Sequence, residues 1–312
     1  MIEIDPIELR AAQDFFGFLR TEPIEKDWHV IRAMQAVSQV DSGIFRLVFA
    51  GGTCLARAHK LVQRMSEDVD FKVVSRGAVP ASANKLRKEL GGLRDRITAG
   101  LQAAGFDIDP ANTAQVRSRD ANRYMVYNLT AGPADTPPTP LRATLQIELN
   151  HTQLRLPTVR LPVASFITEA FARPPEIAGI ECASITETAA EKLVSLTRRT
   201  AMEIAGVSRL PDPTLVRHIY DLHKVRDHID RAVVVNLARL ISVQDAEEFA
   251  HQHPAYRHDI AAETHRALAF LNEDPAVAAR YDSFVAAMVY GSQSPFRDAI
   301  ATVSAMAEQV WP

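Results

Sequence analysis

The sequence predicts an α/β (α+β) chain in two parts: a mixed sheet with flanking helices over residues 1–160, and a mostly helical part over residues 161–312. Three observations predict it. An apolar segment, Leu47-Val48-Phe49, runs into Gly51-Gly52 and is followed by Asp68-Val69-Asp70-Phe71, which alternates with the period of a strand. Alternating segments recur near Gln115 to Ser118, Arg123 to Thr130 and Leu141 to Asn150. From Thr186 onward the apolar positions fall almost throughout at helical spacing.

Taken in order, residues 5–40 read as two helices broken near Thr21-Glu22-Pro23. Residues 44–74 read as strand, helix, strand, with Leu55, Ala58 and Val62 at helical spacing after the glycines. The stretch Ser82 to Ala104 carries an apolar stripe of Leu86, Leu90, Leu93, Ile97 and Leu101, the mark of an amphipathic helix. Lys85, Arg87, Lys88, Arg94 and Arg96 flank that stripe, a basic surface for RNA or an ordinary solvated face. A Pro-rich turn is expected at residues 134–140, and the scattered Pro157, Pro162, Pro174 and Pro175 read as a passage between domains.

The chemistry concentrates around the glycines. A buried strand ending in Gly51-Gly52 lets the backbone turn sharply or approach a ligand, and Thr53 stands at or near a helix start, where free N–H groups favour an anion. Asp68 and Asp70, two apart in a strand, place both carboxylates on one face, leaving Val69 and Phe71 for the core. Like charges so placed are relieved by a hard cation such as Mg²⁺ or Mn²⁺, with nucleotide phosphates as further ligands. Two such ions activate an attacking hydroxyl and stabilise a leaving pyrophosphate. Either half alone is commonplace, a turn or a solvated strand edge; together they point to nucleotidyl transfer. The loop is not a Walker A sequence, since no Gly-Lys-Ser/Thr follows.

These residues resemble the AbiEii/AbiGii-type nucleotidyltransferases, which include toxin components of abortive-infection and type IV toxin–antitoxin pairs. The likeness rests on Glu25-Lys26-Asp27-Trp28, Gly51-Gly52-Thr53-Cys54-Leu55 and Arg64-Met65-Ser66-Glu67-Asp68-Val69-Asp70, in that order. It continues through Leu145 to Asn150 with Glu148, through Glu191-Lys192-Leu193, and through Arg217-His218-Ile219-Tyr220-Asp221-Leu222. The resemblance implies transfer of a nucleoside monophosphate from an NTP to an acceptor hydroxyl, with RNA, especially the tRNA 3′ end, as acceptor. A cognate antitoxin protein and a phage-defence setting are implied with it. A transferase acting on a small molecule or protein, and a catalytically silent nucleotide-binding module, are the alternatives.

Individual residues read both ways. Glu148 alternates with Leu145, Ile147 and Leu149, so it is either a solvated strand residue or a third acid that binds metal or acts as general base. Lys192 on an amphipathic helix is by itself a solvated charge; the resemblance puts it on the nucleotide. Asp221 pairs locally with Arg217 or, by resemblance, orients Lys192 or the nucleotide in the site. Arg64 grips triphosphate or pairs with Glu67. Ser66 shares the strand parity of Asp68, so its hydroxyl bonds phosphate or sugar, or only local backbone; phosphorylation there would block nucleotide binding.

Composition narrows the classes further. A chain of 312 residues, 47% hydrophobic, can bury one large core or two moderate ones. A net charge of −3 excludes a generically basic nucleic-acid binder, so any RNA contact is local. No apolar run approaches the roughly 20 residues of a membrane span, and Glu3, Asp5 and Glu8 precede any apolar block, so no signal peptide or membrane partner is expected and the chain reads as cytoplasmic. Cys54 and Cys182 read as buried thiols, and the ten histidines, lacking metal-ligand spacing, as structural or exposed.

Overall fold

A computed structural model describes residues 4–77, 82–130, 144–207 and 212–312. The expected Pro-rich turn, 134–140, lies outside the described residues. The chain divides into two compact units, Met1–Lys60 with Met65–Ala183, and Leu61–Arg64 with Ser184–Pro312.

In the first unit, α1 (Pro6–Phe16) and α2 (Glu22–Ser38) precede β1 (Phe45–Ala50), α3 (Gly51–Arg57) and β2 (Asp68–Ser75). Then follow α4 (Ala83–Ala103), β3 (Val116–Arg119), β4 (Tyr124–Thr130), β5 (Thr144–His151), β6 (Val159–Val163), α5 (Phe166–Ala170) and β7 (Ile177–Cys182). The strands form one seven-stranded sheet, among the described residues, in the order β3-β4-β5-β2-β1-β7-β6. It is mixed: β2 pairs parallel with β5 and β1 with β7, and the other neighbours pair antiparallel.

Strand alternation sorts this sheet into two chemically different faces. Val69, Phe71 and Val73, with Leu145, Ile147, Leu149, Met125, Tyr127 and Leu129, join one buried cluster with Val30 and Met34 of α2 and the predicted stripe Leu86, Leu90, Leu93, Ile97 and Leu101 of α4. Fully burying each such side chain contributes about 1.5–3 kcal/mol, so this layer fixes the register of the central strands. A slip of one residue would bring Asp68, Asp70 and Glu148 into the apolar layer. The other face therefore keeps its polar residues.

Three boundaries differ from expectation. Pro23 lies in the first turn of α2, where a missing N–H costs nothing, so the break falls earlier, after Gly17 at φ 70. The helix after the glycines stops at Arg57 rather than continuing to Val62, because Lys60 adopts a left-handed φ of 56 and the chain leaves for the other unit. Finally, residues 156–180 hold β6, α5 and β7, so the division falls at 183/184 rather than 160/161. Pro162 is accommodated because β6 is an edge strand, and the register shifts between Leu161 and Val163.

The second unit contains α6 (Ile185–Ile204), α7 (Val216–Val225), α8 (Arg231–Glu248), α9 (Pro254–His258), α10 (Ile260–Glu273), α11 (Pro275–Met288) and α12 (Phe296–Val310). Ser184 caps α6 by accepting from the Glu187 N–H at 3.0 Å, and Asp230 and Asp259 cap α8 and α10 similarly. The segment Leu61–Arg64 joins this unit through an isolated bridge between Arg64 and Val289 and through the Tyr290 N–H donating to the Gln63 carbonyl at 3.1 Å. Among the described residues, no helix is long and apolar enough to cross a membrane.

Candidate active site

The apolar residues of β1 deliver the chain to Gly51, which takes a φ of 72. That conformation favours glycine, and a second reason is steric: a Cβ on residue 51 would run into the Asp70 carboxylate, 2.7 Å from its Cγ. Ala50 is the register partner of Asp70 across the β1–β2 pair, so the turn is formed directly against the acid strand.

Thr53 completes the clamp. It is 1% exposed; its hydroxyl donates to the Asp68 carbonyl and stands 2.6 Å from Ser66 Oγ. The side chain thus ties the first turn of α3 to the entrance of β2, and its hydroxyl is engaged within the fold. At the other end of α3, Arg57 pairs with buried Asp27 at 3.1 Å and lies 4.1 Å from the Phe166 ring. Asp27 also accepts from the Phe166 N–H at 2.7 Å, while Lys26 donates to the Thr144 carbonyl at 2.7 Å. The Glu-Lys-Asp-aromatic segment is therefore scaffolding, locking α2 to α3, α5 and β5.

The acids sit as strand parity requires. Asp68 and Asp70 are half-buried on the polar face of β2, and Asp70 is in register with Glu148 on β5 while Asp68 is in register with Gln146. Burial pushes the Glu148 carboxyl above its ordinary range, as does nearby Asp68; a bond from the Tyr124 hydroxyl and the charges of Arg117 and Arg119 pull it partly back. Burial, and then Glu148, raise the Tyr124 hydroxyl in turn, keeping it a donor.

This donor set fits a divalent ion that keeps outer ligands from substrate and water. Among the described residues no three His, Cys, Asp or Glu side chains form a ready-made cage. Two carboxylates on one strand face nevertheless suit Mg²⁺, which is held through one or two carboxylates plus phosphate oxygens.

The remaining predicted residues gather in the second unit. Arg64 donates to Asp221 twice, Nε to Oδ1 at 2.7 Å and Nη2 to Oδ2 at 2.8 Å. Lys192 Nζ lies 2.9 Å from Asp221 Oδ2 and 3.3 Å from His218 Nδ1. Arg64 and Lys192 are buried, Asp221 has no exposed surface, and His218 is partly buried. Burial by itself raises the Asp221 carboxyl, but Arg64 and Lys192 outweigh it and hold the group well below the ordinary carboxylate range. Burial, then Lys192, keep His218 neutral, so its Nδ1 can accept from the ammonium.

Asp221 is thus paired with Arg64 and Lys192, and Lys192 is buried rather than solvated. Sequence reasoning missed the Arg64 partnership because 157 positions separate the two residues. His218 carried a weak signal, standing three residues before Asp221 on one helix face. Tyr124, Arg117 and Arg119 carried none beyond strand parity, since pairing of β3, β4 and β5 was needed to aim them at Glu148.

Comparison with known proteins bears on this assembly. The family model for "Nucleotidyl transferase AbiEii toxin, Type IV TA system" matches residues 32–302. No curated protein matches the chain. Among solved structures, MenT4, a nucleotidyltransferase toxin from Mycobacterium tuberculosis H37Rv, is similar in fold, with a TM-score of 0.51 at 18% identity, covering 98% of this chain and 99% of that one.

Proposed function

Because the chain belongs to the AbiEii family of nucleotidyltransferase toxins of type IV toxin–antitoxin systems, we propose that it moves a nucleoside monophosphate from an NTP to a hydroxyl of RNA, at the tRNA 3′ end, in the cytoplasm. A cognate antitoxin partner restrains it, in a setting of phage defence. The observation that carries this reading is the sheet row Ala50, Asp70, Glu148, with Asp68 beside it and the Gly51 turn packed on Asp70.

In the reaction the acceptor hydroxyl oxygen attacks the α-phosphorus, and the bond to the β-phosphate oxygen breaks to release pyrophosphate. The backbone at Gly51, Gly52 and Thr53 receives phosphate oxygens, and Ser66 stands beside them. Asp68 and Asp70, with Glu148 near, would hold Mg²⁺ or Mn²⁺, which supplies charge neutralisation and a more acidic acceptor hydroxyl. Glu148, its carboxyl raised by burial, takes the acceptor proton. Lys192 serves the triphosphate, Asp221 fixes the position of its ammonium, and Arg64 acts through Asp221 as a positioning residue.

The test is incubation of the purified protein with each α-labelled NTP, Mg²⁺ and total cellular RNA, beside Asp68→Ala and Lys192→Ala. Label in tRNA-sized RNA only with the unmutated protein is the expected result. Label on protein or a small molecule would replace the acceptor, and absence of transfer with every NTP would overturn the reading.

A further inference from the structure

The face of the sheet that carries the acids continues past them to a feature outside the catalytic set. Register pairs extend the row Ala50, Asp70, Glu148 through Val126 of β4 to Arg117 of β3, and the neighbouring row runs Val48, Lys72, Asn150, Tyr124, Arg119. Paired residues in a sheet point to the same side. Arg117 and Arg119, two apart on the edge strand, therefore share the face of Asp68, Asp70 and Glu148. Both are exposed, and Arg119 lies 5.2 Å from the centroid of the Tyr124 ring, whose hydroxyl bonds Glu148.

The hairpin that holds them is tightly specified. Asp120, Ala121 and Asn122 all take positive φ, of 46, 51 and 68, and the Asn122 side chain donates to the Arg87 carbonyl of α4 at 3.3 Å. The exposed Lys85, Arg87 and Lys88 thus continue the basic surface around the sheet edge. Charged residues on an edge strand also guard against strand pairing. That duty is met by a charge on either face, whereas here both arginines project beside the acids.

We propose that Arg117 and Arg119 form an acceptor-side rail that grips the phosphodiester backbone of a polynucleotide acceptor, on the opposite side of the acid strands from the Gly51 turn. The inference rests on the nucleotidyl-transfer reading. The sheet order β3-β4-β5-β2-β1 supplies the direction: the turn that receives the NTP follows β1, the acids stand on β2 and β5, and the arginines are on β3. Three strand steps separate β2 from β3, roughly 14 Å at about 4.8 Å per strand. The rail therefore meets backbone beyond the reacting terminus, and its charge offsets the repulsion between incoming phosphates and three carboxylates.

The experiment measures binding of 5′-fluorescein-labelled bulk tRNA by the full chain and by Arg117→Gln/Arg119→Gln, across a salt series. Binding of each of the four NTPs is measured by equilibrium dialysis, with thermal unfolding to confirm that the variant is folded. Expected are a weakening of tRNA binding by fivefold or more, a log K against log salt slope shallower by about 1.4 for two lost phosphate contacts at about 0.7 each, and unchanged NTP binding. Unchanged tRNA affinity and slope, no salt-dependent tRNA binding by the unmutated chain, or loss of NTP binding instead would each overturn the rail. Label transfer on the same preparations separates the two ideas. Arginine-dependent tRNA binding without any transfer would sink the reaction and keep the rail, whereas transfer with the variant unimpaired would do the reverse.

Discussion

Gly51 and Asp70 occupy one small volume: the Asp70 carboxylate stands where any side chain at position 51 would have to go. The turn after β1 and the acid on β2 are consequently a single steric unit, and no side chain can be added at position 51 without displacing the Asp70 carboxylate.

Gly51→Ala should report that unit. A left-handed φ costs a non-glycine residue about 1–3 kcal/mol, and the methyl must also push the Asp70 carboxylate off its position. Urea unfolding should show a loss of at least about 1 kcal/mol, and nucleotidyl transfer should fall well beyond what that loss explains. Full activity in the alanine variant would mean that Asp70 has no fixed place in the reaction.

Asp68→Asn keeps the shape of the half-buried residue and removes one charge. Transfer should drop at least about a hundredfold, since the interactions lost with a divalent ion amount to several kcal/mol. Chelation by EDTA should abolish the unmutated protein's activity, and Mg²⁺ or Mn²⁺ should restore it.

The bond from Tyr124 pulls the Glu148 carboxyl down against burial. Tyr124→Phe removes that donor, so the carboxyl should rise further and the acid limb of the pH–rate profile should move to higher pH. An unmoved limb would show that Glu148 is not the group whose ionisation the rate follows.

Asp221 offers a stability measurement with a definite sign. Its folded carboxyl titrates below the ordinary 3.8, so its contribution is complete above that value and drains away as pH falls through the lower, folded value. Asp221→Asn leaves Arg64 and Lys192 buried beside a neutral amide, a loss of about 3–5 kcal/mol at neutral pH. The variant's unfolding free energy should also fall less steeply than the parent's between pH 5 and pH 3.

What the sequence made legible follows from range. Strand parity put Asp68 and Asp70 on one face of their strand and Glu148 on the polar face of its own, and the 3.6-residue period found the buried stripe of α4, because these signals are local. The Pro-rich stretch around Pro157 to Pro175 misled, since an edge strand tolerates a proline that a central strand would reject. The partner of Asp221 and the aim of Arg117, Arg119 and Tyr124 depend on which distant segments pair, and no periodicity encodes that.

The short excursion Leu61–Arg64 has a consequence for dissecting the gene. Because it belongs with Ser184–Pro312 while residues on both sides of it belong elsewhere, no single truncation yields either unit whole. A fragment ending at Ala183 retains Arg64 without the Asp221 carboxylate that receives its guanidinium, and a fragment beginning at Ser184 keeps Asp221 and Lys192 without that arginine. Deletion mapping would therefore report both halves as defective for reasons of folding alone, and point substitutions are the instrument that reads their separate roles.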